Sequence, residues 1–258
     1  TLKTYRRQNF NFKMIKDLEF FIKKFFISDK FLLKKRLNRA LRNNYEKELS
    51  IIDMFGDKNK SAIDVGVYRG VYSYKLSKEF KYVYAYEPNP LIYPHLKKNL
   101  CKIVDNLTLK NFALSNDTGI VNLRIPKRSK SIFKDNVEEL YKLGCASIHN
   151  NNNFDNYDTV EVHKIRLDED LKNTDIDFIK IDVEGHEREV IEGAKNLITK
   201  YWPILLVEIE ERHNKKPVID TINFINKIGY AAFYCKNNKL HNFEELKDLN
   251  QENNFYFL

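Results

Sequence analysis

The stretch from Asp177 to Ala194, DFIKIDVEGHEREVIEGA, constrains the fold more than any other part of the chain. Phe178, Ile179, Ile181 and Val183 form an apolar, β-branched run with Asp182 at its end. Glu184, Gly185 and His186 follow directly, and then Val190, Ile191 and Ala194 recur at helical spacing. The pattern predicts a buried strand that delivers two acids and a histidine into a glycine-containing turn ahead of a helix. Ligands of open α/β sheets bind at the carboxyl ends of strands, so this turn is a candidate site.

The same rhythm occurs elsewhere. Strands are expected at Ser61–Val65, Tyr82–Tyr86, Leu107–Ala113, 178–182, Ile204–Ile209, Tyr230–Cys235 and Phe255–Leu258. Helices are expected at Val71–Phe80, Leu91–Leu100, 187–200 and Val218–Ile228. Alternation of this kind indicates βαβ units and a mostly parallel sheet, an α/β Rossmann-like architecture. Between about Gly119 and Leu167 it lapses. Two strands of antiparallel type, Val121–Ile125 and Val160–Ile165, flank a polar stretch, which predicts a β-rich insertion over the site.

Residues 1–55 differ in character and are expected to form a basic, amphipathic helical extension ahead of the main domain at 56–258. Ile15, Leu18, Ile22, Phe25 and Phe26 keep helical spacing, as do Phe31, Leu32, Leu33, Leu37 and Leu41, with a break near Ser28-Asp29. A third helix is expected from Tyr45 to Phe55. Residues 1–50 carry 14 Lys and Arg against 5 Asp and Glu, more than the whole net charge of +8. The remainder, with 30 basic and 31 acidic residues, is close to neutral, so no basic nucleic-acid groove is expected through the main domain. Cys101, Cys145 and Cys235 lie far apart, without metal-binding spacing, and read as reduced thiols. With no signal-peptide pattern and no long apolar run, a cytoplasmic location is expected.

At the first strand tip, Asp64-Val65-Gly66-Val67-Tyr68-Arg69-Gly70 places two glycines where a ligand can approach backbone and helix N-terminus. The third glycine of a dinucleotide fingerprint is missing. An acid at Asp64 would repel a pyrophosphate but suits a cofactor carrying an amine and a sulfonium. Glu87 ends the next strand, where an acid accepts hydrogen bonds from ribose hydroxyls.

Together these pieces resemble the FkbM family of S-adenosylmethionine-dependent methyltransferases. The matching segments are IDVGVYRGVYS (63–73), YEPNP (86–90), FALSNDTG (112–119), LGCASI (143–148), RLDEDL (166–171), DFIKIDVEGHEREVIEGA (177–194) and PILLVEI (203–209). The family usually has Ala-Asn where this chain has Val67-Tyr68 followed by Arg69, so the polar contact of that loop is altered. The resemblance implies methyl transfer to an oxygen, commonly a hydroxyl of a sugar or glycan-related molecule, which would include glycan biosynthesis. It implies Asp64, Gly66 and Gly70, with Tyr68 and Ser73, on the methionine side of the cofactor. Glu87 would hold the ribose, and Asn111 and Ala113 would lie near the adenine. Asp182 would face the methyl group, and Ser147 would sit in the substrate loop.

An alcohol needs a base as it attacks, and a positioned base contributes about 10²–10⁴-fold. His186, with an ordinary pKa near 6.5, fits that task, with Glu184 orienting it or acting itself. Capping of the following helix is the competing role for both. Glu208, at the tip of the neighbouring strand, either bonds acceptor hydroxyls or meets Arg212 or Lys215. Asp182, Glu184 and His186 also offer carboxylates and imidazole to a divalent metal, though further ligands are wanting and no metal is expected. The basic extension has three readings: a helical lid or dimer element, attachment to an anionic membrane face, or a grip on a phosphate-bearing acceptor such as a nucleotide-linked sugar. An RNA or protein methyltransferase, and a non-catalytic glycan- or membrane-binding module on the same fold, are the alternatives.

Overall fold

The computed structural model describes residues 29–43, 46–126, 146–148, 157–211, 217–249 and 252–258. Its centre is an eight-stranded sheet. The strands are β1 (Ser61–Val65), β2 (Tyr82–Tyr86), β3 (Leu107–Lys110), β7 (Ile176–Ile181), β8 (Ile204–Glu208), β9 (Ala232–Lys236), β10 (Lys239–Asn242) and β11 (Asn254–Phe257). Their spatial order is β10-β9-β11-β8-β7-β1-β2-β3. Strand β1 lies parallel to both β2 and β7, and β11 lies antiparallel between β8 and β9. This is a Rossmann-like, mostly parallel sheet, as expected.

Alternation of side chains along each strand builds two cores. Ala62, Val83, Phe178, Leu206 and Tyr256 face α1 (Asp29–Arg42), α2 (Val71–Glu79) and α3 (Tyr93–Asn99). Ile63, Val65, Ile179, Ile181 and Val207 face α5 (Glu187–Gly193), α6 (Lys195–Tyr201) and α7 (Val218–Asn226). Helix α1 contributes Leu33 and Leu37, both buried, to the first core. The described part of the basic extension therefore packs on the main domain; its first expected helix lies outside the described residues.

Several elements differ from expectation for local physical reasons. The helix expected at 45–55 is, over its described residues, two 3₁₀ turns, Lys47–Ser50 and Ile52–Met54. There the Glu48 carbonyl accepts the Tyr256 hydroxyl at 2.8 Å, and Ser50 Oγ donates to the Lys47 carbonyl at 2.6 Å. The helix expected at 187–200 breaks at Ala194. Asp168 accepts from the backbone N–H groups of Asn196 and Leu197 at 3.0 and 2.9 Å, so α6 starts anew with its own cap. Ala113-Leu114 leaves the main sheet and becomes β4 of a second, three-stranded sheet with β5 (Gly119–Pro126) and β6 (Tyr157–Ile165). That sheet is the expected insertion, anchored to Ser147 through Arg124. The β9–β10 hairpin was not anticipated. Its turn holds Asn237 and Asn238 at φ 52° and 58°, the left-handed pair that a two-residue hairpin uses.

The two sheets meet through α5, where a Cβ added at Gly193 would lie 2.0 Å from the Ser115 carbonyl oxygen. The obstruction is backbone, so strands or helix must move to relieve it. Gly193→Ala is expected to destabilise the protein by about 1–3 kcal/mol, read as a fall in Tm of about 2–4 °C per kcal/mol. An unchanged melt would show that α5 and β4 are not in contact.

Candidate functional site

The carboxyl ends of β1, β2, β7 and β8 open on a cavity of about 660 Å³. Gly66 lines it where β1 ends, Glu87 where β2 ends, Asp182 where β7 ends and Glu208 at the end of β8. Phe112, Ala113, Leu114, Ile92 and Pro88 supply one apolar end. Leu123, Ala146 and Ile148 of the insertion contribute, as do Glu46, Glu48, Asn253 and Asn254.

Close approach of the first two parallel neighbours makes this geometry. The Asp182 N–H donates to the Val65 carbonyl at 3.0 Å, and the Gly66 N–H to the Tyr86 carbonyl at 3.0 Å. Gly66 adopts φ 84°, and a Cβ there would fall 1.8 Å from the Asp182 carbonyl oxygen. Only glycine fits. Gly70, at φ 76°, turns the chain into α2 against Leu100. Tyr68 between them sits at φ 48°, its N–H held by Glu87 Oε2 at 2.8 Å.

Glu87 is buried, and its Oε1 accepts the Asn89 N–H at 2.9 Å. Burial, the largest cause, pushes its pKa from 4.5 to about 7 despite these bonds. A carboxylate with two backbone donors keeps lone pairs for ligand hydroxyls. Asn111 does not line the cavity; its amide donates to the Glu87 and Pro88 carbonyls at 2.7 and 3.1 Å and fixes the loop from behind.

Asp64 lies one layer below the cavity surface, almost fully buried. Ser73 Oγ donates to its Oδ2 at 2.5 Å, and Ser73 is not among the residues lining the cavity. Burial pushes the Asp64 pKa from 3.8 to about 7. Its Oδ1 is buried with no hydrogen-bond partner among the described residues. An unsatisfied buried carboxylate oxygen two residues before Gly66 fits a cationic ligand group in the cavity above.

Lys180 was missed in the sequence because it hides inside the apolar run of β7. Its ammonium is 1% exposed, 3.5 Å from Asp182 Oδ2 and 3.9 Å from Glu208 Oε2, and it lies 4.9 Å from the centre of the Tyr72 ring. Burial alone would lower its pKa, but Asp182, Glu208, Glu46 and Asp64 outweigh that and hold it above its ordinary value. Glu208 is driven well above the carboxylate range, by burial first and by Asp182 next. Asn253 donates to Glu208 Oε1 at 2.9 Å. At the same end, Glu48 Oε1 and Asn254 Oδ1 are buried without partners among the described residues. Neither was visible as a site residue in the sequence, since β11 and the first 3₁₀ turn are brought there only by the fold.

His186 is not among the residues lining the cavity. It stands at the N-cap position of α5 without a side-chain capping bond, its Nε2 lies 3.0 Å from Ser115 Oγ, and its Nδ1 lies 3.6 Å from Glu189 Oε2. The turn through Glu184 (φ 54°) and Gly185 (φ 102°) precedes this placement, which sets the ring against Ser115, the residue after β4. Glu184 lines the cavity, and its carbonyl accepts from Ser147 Oγ at 2.7 Å. Ser147 is thereby buried and structural, while its neighbours Ala146 and Ile148 reach the cavity. Among the described residues, no group of three or more His, Cys, Asp and Glu is arranged to hold a metal ion, and no helix is long and apolar enough to cross a membrane.

Residues 64–253 match the methyltransferase FkbM domain. No curated protein matches the chain in sequence. Similar solved structures include methyltransferase FkbM from Methylobacillus flagellatus KT, at 17% identity and TM-score 0.49, over 77% of this chain and 43% of that one. This chain thus spans less than half of the Methylobacillus protein. An rRNA methylase from Streptococcus thermophilus is 12% identical, with TM-score 0.46, over 81% of this chain and 91% of that one. The Streptococcus mutans protein SMU.1697c, solved in complex with SAH, is 12% identical, with TM-score 0.45, over 81% of this chain and 93% of that one. With matched residues running from the first strand tip to the edge of β11, the chain belongs to the FkbM methyltransferase family.

Proposed function

We propose that the protein is an S-adenosylmethionine-dependent O-methyltransferase whose acceptor is a hydroxyl of a sugar or glycan precursor. The observation that carries this reading is the joint lining of one cavity by Gly66, Glu87, Asp182 and Glu208. The cofactor supplies a methyl group already bound to an activated leaving group. Glu87 suits the ribose hydroxyls, and Phe112, Ala113, Leu114 and Ile92 suit the adenine. Gly66 leaves room for the methionine part, with the unsatisfied Asp64 oxygen below it.

The acceptor end favours hydroxyl groups. Glu48 Oε1 and Asn254 Oδ1 lack donors, and Glu208, raised above the carboxylate range, lies beside them. Hydroxyls of a sugar would supply the missing hydrogens. Asp182 is the base we assign, because it lines the cavity and its carboxylate faces the Lys180 ammonium. With the cofactor bound, the acceptor oxygen would attack the methyl carbon from about 3–3.5 Å as the carbon–sulfur bond breaks to leave the neutral thioether, and its proton would pass to Asp182. Lys180 is placed to hold that carboxylate in one orientation. Glu184 is left as a neighbour of the acceptor, and the imidazole of His186 stands outside the reaction.

Two outcomes test this. Asp182→Asn is expected to cut turnover with a sugar acceptor about 10²–10⁴-fold while changing S-adenosylmethionine affinity only a few-fold; His186→Gln is expected to keep turnover within a few-fold of wild type. The opposite pairing in a radiolabelled methyl-transfer assay would return the base to His186. The second outcome concerns pH. Asp64 and Glu87 titrate near 7 in the free protein. A sulfonium and an amine favour their ionised forms, so their pKa values fall on binding and protons are released. Calorimetric affinity for S-adenosylmethionine should therefore rise from pH 5 and level off above about 7, more steeply than for the uncharged-sulfur product. A pH-independent affinity would separate these carboxylates from the cofactor.

A further inference from the structure

A second cavity of about 620 Å³ adjoins the first, between α1 and the loop that follows β1. The two share Glu46, Gly66, Tyr68 and Asp182, so they meet at the reaction centre. Three arginines line the second cavity and not the first: Arg36 and Arg39 from α1, and Arg69 from the loop. Asn43 adds an amide. Charge is therefore segregated, with carboxylates at the junction and guanidinium groups beyond it.

The chain arranges this on purpose-shaped pieces. Arg36 and Arg39, three positions apart, share a face of a helix that Leu33 and Leu37 anchor in the core. Arg69 stacks against the Tyr68 ring at 5.0 Å, on a backbone that Glu87 holds in the left-handed region. A strained residue kept in place by a buried carboxylate commonly marks a site under functional constraint.

We propose that this second cavity binds the phosphoryl group of an activated acceptor, a sugar carried on a diphosphate. The inference rests on the methyltransferase reading and adds the acceptor's class to it. The first cavity is assigned to the cofactor and the sugar, so the comparable space that joins it at Asp182 suits a further part of the acceptor. One carboxylate, such as that of the cofactor, is satisfied by a single guanidinium fork, whereas three arginines match the several oxygens of a diphosphate. In this arrangement the hydroxyls of the sugar face Glu208, Asn254 and Asp182, and the phosphoryl handle lies toward α1.

Calorimetry on the full chain saturated with S-adenosylhomocysteine provides the test, with inorganic pyrophosphate, UDP and geranyl diphosphate as probes. Saturable binding of at least one probe is expected. It should weaken about tenfold or more in Arg69→Gln and in Arg39→Glu, the loss of one charge-assisted contact, while S-adenosylhomocysteine affinity stays within about twofold of wild type. Arg39 is exposed on α1, so its replacement leaves the fold in place and keeps the test valid should Arg69→Gln misfold. Tighter UDP than geranyl diphosphate marks a nucleotide-linked acceptor, and the reverse a lipid-linked one; both support the site. The proposal is overturned if no probe binds, if both variants bind the probes as wild type does, or if the variants lose S-adenosylhomocysteine instead, which would assign the arginines to the cofactor carboxylate. Failure of wild type to bind S-adenosylhomocysteine at all would instead remove the methyltransferase reading beneath it.

Discussion

Everything at the site depends on the contact between Gly66 and the Asp182 carbonyl. The separation leaves no room for a side chain, and hydrogen bonds on both sides of β1 fasten it to β2 and β7. Two strand tips are thereby locked at one spacing. On the proposed reading, the surface assigned to the cofactor and the carboxylate assigned to the acceptor become parts of one piece. Precision of this kind is what a displacement at carbon requires, since most of its acceleration comes from placement.

That piece is also electrostatically unfinished. Asp182 and Glu208 pair with one buried ammonium, Lys180, which Asp64 also feels, Glu87 stands near Asp64 and Asp182, and burial raises Asp64, Glu87 and Glu208 toward or above neutrality. Such a cluster is costly for the empty protein, because desolvated like charges repel. A cationic ligand offsets the cost. The same arrangement would favour a sulfonium over a neutral thioether, in keeping with the proposed methyl transfer, whose product must leave. Removing Lys180 would leave the carboxylates without their counter-charge, so its role in stability and its role in orientation are inseparable.

Much of the framework was legible in the chain. Asp64, Gly66, Glu87 and Asp182 stand at strand ends, where alternation of apolar runs and helical periods announces them. The side of the backbone on which a neighbouring residue emerges was not legible. Asp182 and His186 are four apart, yet the left-handed turn through Glu184 and Gly185 carries the imidazole to Ser115 and α5. Lys180 was invisible for the opposite reason, as a charge inside an apolar strand whose partners come from β8. Glu48, Asn254 and the arginines of α1 reach the site only through tertiary packing, which no spacing in the sequence encodes. Ser73 and Asn111 lay in the right segments, but each serves a carboxylate or a loop carbonyl from behind.

A crystal structure with S-adenosylhomocysteine is the most direct examination of the central claim. The account predicts ribose hydroxyls on Glu87, the homocysteine chain passing over Gly66, and the sulfur beside Asp182, with the Gly66–Asp182 contact intact. A nucleoside seated away from Glu87, or strand tips of β1 and β7 drawn apart in the complex, would contradict it.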